Sequence, residues 1–376
     1  MREKMNYIFY QTKTMFSNTG DALINKSLIS KLREYGKLYA NCSPSIPSSF
    51  IEQLGITTEE QIKTNNEIFF ALRIYKIALL NIFTTNNVFI FSGLGHTYGD
   101  SFKKILRNLI AGLLFPIYRM LGIHIIRIGL SIGPISKGLA ITEFIRSLFV
   151  SKYYVRDTMS LKLCHDIGIK KAQLCPDMSW LYKMNEARIP NNSNIVILNL
   201  RNSTFDEFIS SNYINTLIRK CKILLHTIKK EIPNLEIIIT YQVADDRDFC
   251  IMLNEELKKY FQVTFVDKQM NLTDVEYYYG KSIFNISNRM HSLLLGYKFG
   301  SLPIALLDRK EHTKISSTFE DCNLPEFLFD IYSSENDLRN QMSKMIRNKN
   351  NYYSKLISAE KKQQKLIIQI LDSILN

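Results

Sequence analysis

The sequence predicts an α/β protein built as two doubly wound domains. Three observations carry that expectation. At 376 residues the chain has the length of two ordinary domains, each able to bury a sizeable core. Short apolar, β-prone runs alternate with helical stretches through both halves, the pattern of parallel sheets with crossover helices. The rhythm breaks once, at Asn185–Asn194, where asparagines with Arg188 and Pro190 have linker composition. The expected division is therefore 1–185 and 186–376. Two such halves in succession suggest domains facing each other across a cleft, with ligands at the carboxyl ends of the strands.

The first half opens with a strand at Met5–Gln11, the polar turn Ser17-Asn18-Thr19-Gly20-Asp21, and a helix to about Tyr35. A turn of this kind lets backbone approach a ligand, although most such turns only connect elements. Asn41–Asn66, rich in Ser, Pro and Thr, reads as a long loop. Val88–Ser92 is a strand, and Gly93 to Asp100 a glycine-rich loop. Gly93, Gly95 and Gly99 suit close approach to a phosphate or sugar. The loop matches neither the Walker nor the dinucleotide-binding pattern. His124–Gly133, Ser151–Val155 and Gln173–Cys175 complete the strands, and Asp157 and Asp177 are expected in capping and turn roles.

In the second half Ile195–Leu200 is a strand that delivers Arg201 to its carboxyl end. Phe205–Glu231 is helical, Leu235–Thr240 a strand, Asp246–Tyr260 a helix, Val263–Phe265 a strand and Asp274–Gly280 a short helix. Lys281–Lys314 then has the size and pattern of a βαβ unit. Ser282–Ile286 is a strand, and Ser287–Asn288 supplies N-cap chemistry. Met290, Leu293, Leu294 and Tyr297 form one apolar helical face. Gly300 ends that helix, and Leu302–Leu307 is a buried strand. Arg289 and His291 fall in the first helical turn, where backbone N–H groups and the helix dipole favour an anion. Arg adds a planar fork for carboxylate or phosphate; His adds a proton donor or acceptor near neutral pH. The alternative is that Arg289 pairs with a nearby acid and His291 is structural. Ser334–Asn376 reads as a long basic and polar helical tail.

Composition narrows the function. With 46% hydrophobic and 22% charged residues the chain is globular, and its net charge of +13 implies an acidic partner. Lysines and arginines are scattered without a finger-like or RNP-like pattern, so nucleic acid is the weakest choice beside an anionic substrate or membrane surface. The six cysteines form no CxxC pair and read as reduced, mostly buried thiols of a cytoplasmic protein. The six histidines are dispersed, with no HxH or HExxH, and no metal site is expected. MREK leads into a strand and not into the apolar run of a secretory signal. No stretch reaches the roughly 18 uninterrupted apolar residues of a membrane span. Ile105–Ile128 comes nearest and is expected to be a buried helix followed by a core strand. Its alternative is a helix lying on a membrane through Lys103, Lys104 and Arg107.

Four segments together resemble the polysaccharide pyruvyl transferase family. They are Asn18-Thr19-Gly20-Asp21-Ala22-Leu23; Tyr154-Val155-Arg156-Asp157 with Ser160, Leu161 and Gly168; Leu174-Cys175-Pro176-Asp177; and Asn288-Arg289-Met290-His291 with Gly300, Pro303 and Lys314. They occur in the family's order. One departure is the segment Ser92-Gly93-Leu94-Gly95-His96, which has fewer glycines than the family's run and bears on the acceptor.

The resemblance implies a GT-B-like fold and transfer of pyruvyl from phosphoenolpyruvate to two hydroxyls of a bacterial surface polysaccharide or its lipid-linked precursor. It implies no cofactor beyond the donor. His291 and Arg289 are the catalytic candidates, and Arg201, Arg289, Met290 and Lys314 the donor site. Asn18, Gly20, Asp21, Gly95 and His96 are the acceptor candidates on the first domain. The implied location is the cytoplasm, with peripheral contact at the inner face of an anionic membrane. A nucleotide-sugar-dependent GT-B glycosyltransferase is the alternative, using the same anion site for a diphosphate.

Overall fold

The computed structural model describes residues 5–12, 14–63, 67–92, 94–183, 193–202 and 211–376. They form two compact units. Unit one comprises Met1–Phe16, Asp21–Leu181 and Gln364–Asn376; unit two comprises Ser17–Gly20 and Tyr182–Gln363. The expected boundary at 185/186 and most of its linker, like Gly93 and the start of the Phe205–Glu231 helix, lie outside the described residues. The units also exchange two short pieces that a single cut leaves on the wrong side.

Unit one holds strands β1 (Asn6–Tyr10), β2 (Lys37–Asn41), β3 (Gln61–Ile62), β4 (Asn87–Ser92), β5 (Gly95–Gly99), β6 (His124–Ile135), β7 (Lys152–Val155) and β8 (Ala172–Leu174). They make one eight-stranded sheet of order β3-β2-β1-β4-β6-β7-β8, with β5 pairing β6. Every pairing is parallel. Ile8, Phe9 and Tyr10 in β1 and Ile125 to Ile132 in β6 are buried throughout, as strands covered on both faces require. Asp157 caps the helix Thr158–Asp166, its Oδ1 accepting from Ser160 N at 2.7 Å. Asp177 holds the turn after β8 by accepting from Ser179 N and from Arg156 Nη1.

Unit two holds β9 (Ile195–Asn199), β10 (Glu236–Tyr241), β11 (Gln262–Gln269), β12 (Phe284–Ser287), β13 (Leu302–Leu307) and β14 (Leu328–Asp330). Their order is β11-β10-β9-β12-β13-β14, again all parallel. The order reverses between β9 and β12, which makes that pair the switch point where ligands of open α/β sheets bind. The helix Leu272–Tyr279 starts on a reciprocal capping box between Asn271 and Asp274. In the next helix, Met290–Lys298, every residue from Ser292 onward is buried.

Several expectations are corrected. The stretch 41–66 is not a loop throughout: it carries the helix Ser48–Leu54, closed by Gly55 in the left-handed region, and β3. Gly95–Gly99 is a strand, because its backbone completes the edge of β6. The tail is two helices, Glu335–Arg347 and Lys349–Leu375, parted at Asn348. The helix Phe102–Met120 is not buried. It exposes an apolar side and buries Asn108, Gly112 and Tyr118. A helix at Thr313–Asp321 and strand β14 went unread, both being short and weakly apolar. Among the described residues, no helix is long and apolar enough to cross a membrane.

Candidate active site

The carboxyl ends of four adjacent strands in unit two collect the charged groups of the molecule's best candidate site. β9 runs through Leu200 into Arg201, and β12 through Asn288 into Arg289. β10 leads into Gln242 and then Asp246, and β13 into Asp308 and then His312. Asn288 locks the two central ends together. Its Oδ1 accepts from Arg201 N at 2.9 Å, and its Nδ2 donates to Arg201 O at 2.8 Å and to the Tyr213 hydroxyl at 3.1 Å. Ser287 completes the lock by donating to Asn199 O and accepting from Arg289 N at 3.0 Å. The expected cap at Ser287–Asn288 is thus one residue early. Arg289 itself is the N-cap, and the two polar side chains join strands instead.

Two arginines meet there. Arg289 pairs with Asp246, both largely buried. Arg201 is partly buried, and its guanidinium is pushed down to about 10, first by desolvation and then by the neighbouring charge of Arg289. Two guanidiniums brought this close together favour an anion between them. Burial holds Asp246 above the usual carboxylate range, which the Arg289 charge only partly offsets. Arg289 Nε and Gln242 Nε2 are buried donors with no hydrogen-bond partner among the described residues. Both suit a ligand rich in acceptor oxygens.

His312 is fully buried, stacked on the Tyr213 ring at 6.2 Å, with Nδ1 at 3.1 Å from Asp308 O. A carbonyl can only accept, so Nδ1 carries the proton and Nε2 keeps its lone pair. That Nε2 is also without a partner among the described residues. Burial first, and then the Arg201 charge, push the imidazole down to about 4.

His291 lies two residues after Arg289, in the first turn of the helix that Arg289 caps, and is partly exposed. It lies against Gly20: a Cβ there would come within 2.3 Å of His291 Cβ and Nδ1. Gly20 N donates to Asn18 Oδ1 at 3.0 Å, and Thr19 Oγ1 donates to Met270 O. The Asn18-Thr19-Gly20 turn and the Arg-x-His turn, far apart in sequence, are therefore neighbours within unit two. Only a glycine permits that approach.

The other candidates fall as follows. Met290 is partly buried beside Arg289, and Lys314 lies in the first turn of the helix Thr313–Asp321, just past His312. In unit one Asp21 accepts from Thr14 Oγ1 and from Met15 N, and Gly95 lies close by, a Cβ there being 3.9 Å from Asp21 Oδ2. His96 Nε2 lies 2.6 Å from Gly133 O, and its ring stacks on Tyr98. Asp246, Gln242 and His312 went unremarked in the sequence. The signal for Asp246 was an acid at the start of the helix that follows the strand beside β9.

Comparison with known proteins agrees with this picture. The model of the polysaccharide pyruvyl transferase family matches residues 18–300, from the Asn18 turn to the glycine that ends the Arg-x-His helix. The chain belongs to the polysaccharide pyruvyl transferase family. No curated protein matches this pyruvyl transferase family member by sequence. Among solved structures it is similar to Anabaena HepE in complex with UDP, with a TM-score of 0.58 at 11% identity over 98% of this chain and 99% of that one. A glycosyltransferase from Rickettsia africae gives 0.57 at 11% identity over 99% and 98%. MnaA of S. aureus, solved with UDP, gives 0.52 at 9% identity over 94% and 91%. At such identities these establish the fold, which is GT-B-like: two doubly wound parallel sheets with a C-terminal helix.

Proposed function

We propose that this transferase takes the pyruvyl carbons of phosphoenolpyruvate and joins them as a ketal to two hydroxyls of a saccharide in surface-polysaccharide synthesis. The observation that carries the reading is the convergence of the Arg201 and Arg289 guanidiniums at the β9/β12 switch point, near enough that the charge of one acts on the other. Phosphoenolpyruvate presents a carboxylate and a phosphate within a few bonds, and two guanidiniums match them. Arg201 and Arg289 bind the donor, with Met290 and Lys314 beside them.

The first sugar hydroxyl attacks C2 as the methylene carbon takes a proton. His291, at the helix start next to Arg289, is the group placed to give that proton or to accept one from the hydroxyl. Phosphate then leaves with the C–O bonding pair, and the second hydroxyl closes the ketal, losing its proton. Asn18, Gly20, Asp21, Gly95 and His96 serve the acceptor. The acceptor is read as a lipid-linked saccharide met in the cytoplasm at the inner face of the membrane.

The test is phosphate release from phosphoenolpyruvate with a panel of acceptor glycosides. Release that needs both substrates, with a ketal in the product, is expected. Tight binding of a nucleotide sugar with no phosphate release would overturn the reading in favour of a glycosyltransferase.

A further inference from the structure

The helix Phe102–Met120 carries apolar residues on its solvent side as well as its core side. Phe102, Leu106, Ile110, Leu113, Ile117 and Met120 recur at spacings of three and four and make one apolar stripe on the solvent side. Phe102 is 76% exposed, Leu113 74% and Met120 86%. The opposite side buries Asn108, which donates to Glu143 Oε2 at 3.1 Å, Gly112, which packs on Ile145 of the helix Lys137–Leu148, and Tyr118, which joins the core with Phe115 packed against it. The apolar stripe therefore has no place in the core of unit one.

It is widened by a neighbour. In the helix Glu67–Asn81, Tyr75 packs its ring on Tyr118 at 5.1 Å, and Leu72, Leu79 and Leu80 face outward. Phe83, just beyond, is 97% exposed. Scattered exposed leucines are ordinary, but a six-residue apolar stripe along one helix, with more exposed leucines on a helix that touches it through Tyr75 and Tyr118, marks a contact surface.

The charges on this face have one sign. Arg73 and Lys76 are exposed on the first helix, Lys103 and Arg107 beside the stripe on the second. Past Glu67 neither helix contains an acidic residue. Glu143 of the third helix is fully buried against Arg127 and Arg146. A second copy of this chain laid on the face would set these cations against each other. An anionic surface that also accepts apolar side chains satisfies both features at once, and a bilayer of anionic lipid is such a surface.

We propose that unit one docks on anionic membranes through the Phe102–Met120 stripe and the adjoining Leu72–Phe83 face. The docking deepens the reading of a membrane-borne acceptor, though its evidence is independent of the donor chemistry.

Co-sedimentation with vesicles of phosphatidylcholine alone, and of phosphatidylcholine with phosphatidylglycerol, tests it at low and at high salt. The wild type should bind the anionic vesicles, neglect the neutral ones, and lose about tenfold or more in partition as salt shortens the electrostatic range. L113E/M120E should abolish binding, and K76E/K103E should weaken it about tenfold or more. Thermal unfolding, and phosphate release with a water-soluble acceptor in the absence of vesicles, should stay at wild-type levels in both. Binding by L113E/M120E equal to wild type would overturn the proposal. So would a wild-type dimer in sedimentation equilibrium that this variant converts to monomer, since a second copy would then cover the face. Should phosphate release fail in every protein while the vesicle pattern holds, the docking stands and the donor assignment falls.

Discussion

At the scale of single residues, two histidines at the candidate site have opposite chemistry. His291 is partly exposed at a helix start and is the proposed proton donor or acceptor. Its replacement by Ala should lower phosphate release by about 10² or more while leaving the melting temperature near wild type. Turnover within about tenfold of wild type would make His291 a structural residue. His312 is enclosed and held neutral, pushed down to about 4 by burial and Arg201, with Asp308 pulling the other way. In the unfolded chain the same ring returns to about 6.5 and binds its proton more readily. The stabilisation is therefore complete above about pH 6.5 and is lost progressively as the pH falls toward 4. The gap corresponds to at most about 3 kcal/mol. Urea unfolding of wild type and His312→Asn from about pH 7 to about pH 5 should show wild type losing stability faster. Parallel curves would remove His312 from the account.

At the scale of elements, the site helix Met290–Lys298 is anchored at its far end by a buried ion pair. Lys298 Nζ lies 2.6 Å from Glu360 Oε1 in the helix Lys349–Leu375, with side-chain exposures of 0% and 7%. Tyr297 also donates to Glu360. Such a pair costs desolvation when it forms, so its value emerges when one member is lost. Glu360→Gln should destabilise the fold by about 3–5 kcal/mol, leaving the ammonium buried without its counter-charge. Lys298→Met with Glu360→Leu should recover most of that loss. A double variant as unstable as the single one would place the effect in packing instead of charge. Chemical denaturation of the set reads the coupling directly.

At the scale of the whole molecule, the strands were the most legible part. Buried parallel strands such as β9 and β13 are mostly apolar runs, and polar residues mark their exits. Arg289 and His291 were legible because one strand–turn–helix presents both. Asp246 and His312 were not, since they reach Arg289 and Arg201 only through the order of strands in the sheet. Apolar content also misled: Phe102–Met120 has the residues of a core helix, but which side turns inward was decided by Asn108 meeting Glu143. Nor does composition announce that Gln364–Asn376 completes unit one. There Ile367, Leu371 and Leu375 are buried, Tyr35 donates to Asp372 Oδ1 at 2.8 Å, and Asn6 Nδ2 donates to Leu375 O at 2.7 Å. Removal of residues 364–376 should lower the stability of unit one, read by faster proteolysis within β1 and β2.

That last contact has a bearing on how the protein is made. Asn6 and Leu375 are 369 positions apart, so the first strand waits for nearly the whole chain before its outer partner exists. A ribosome adding about 5–20 residues each second spends tens of seconds between the two. During that interval the first sheet stands without its final helix, while unit two up to Gln363 has already been synthesised. Until then nascent unit one lacks the side chains of Ile367, Leu371 and Leu375 that complete its packing.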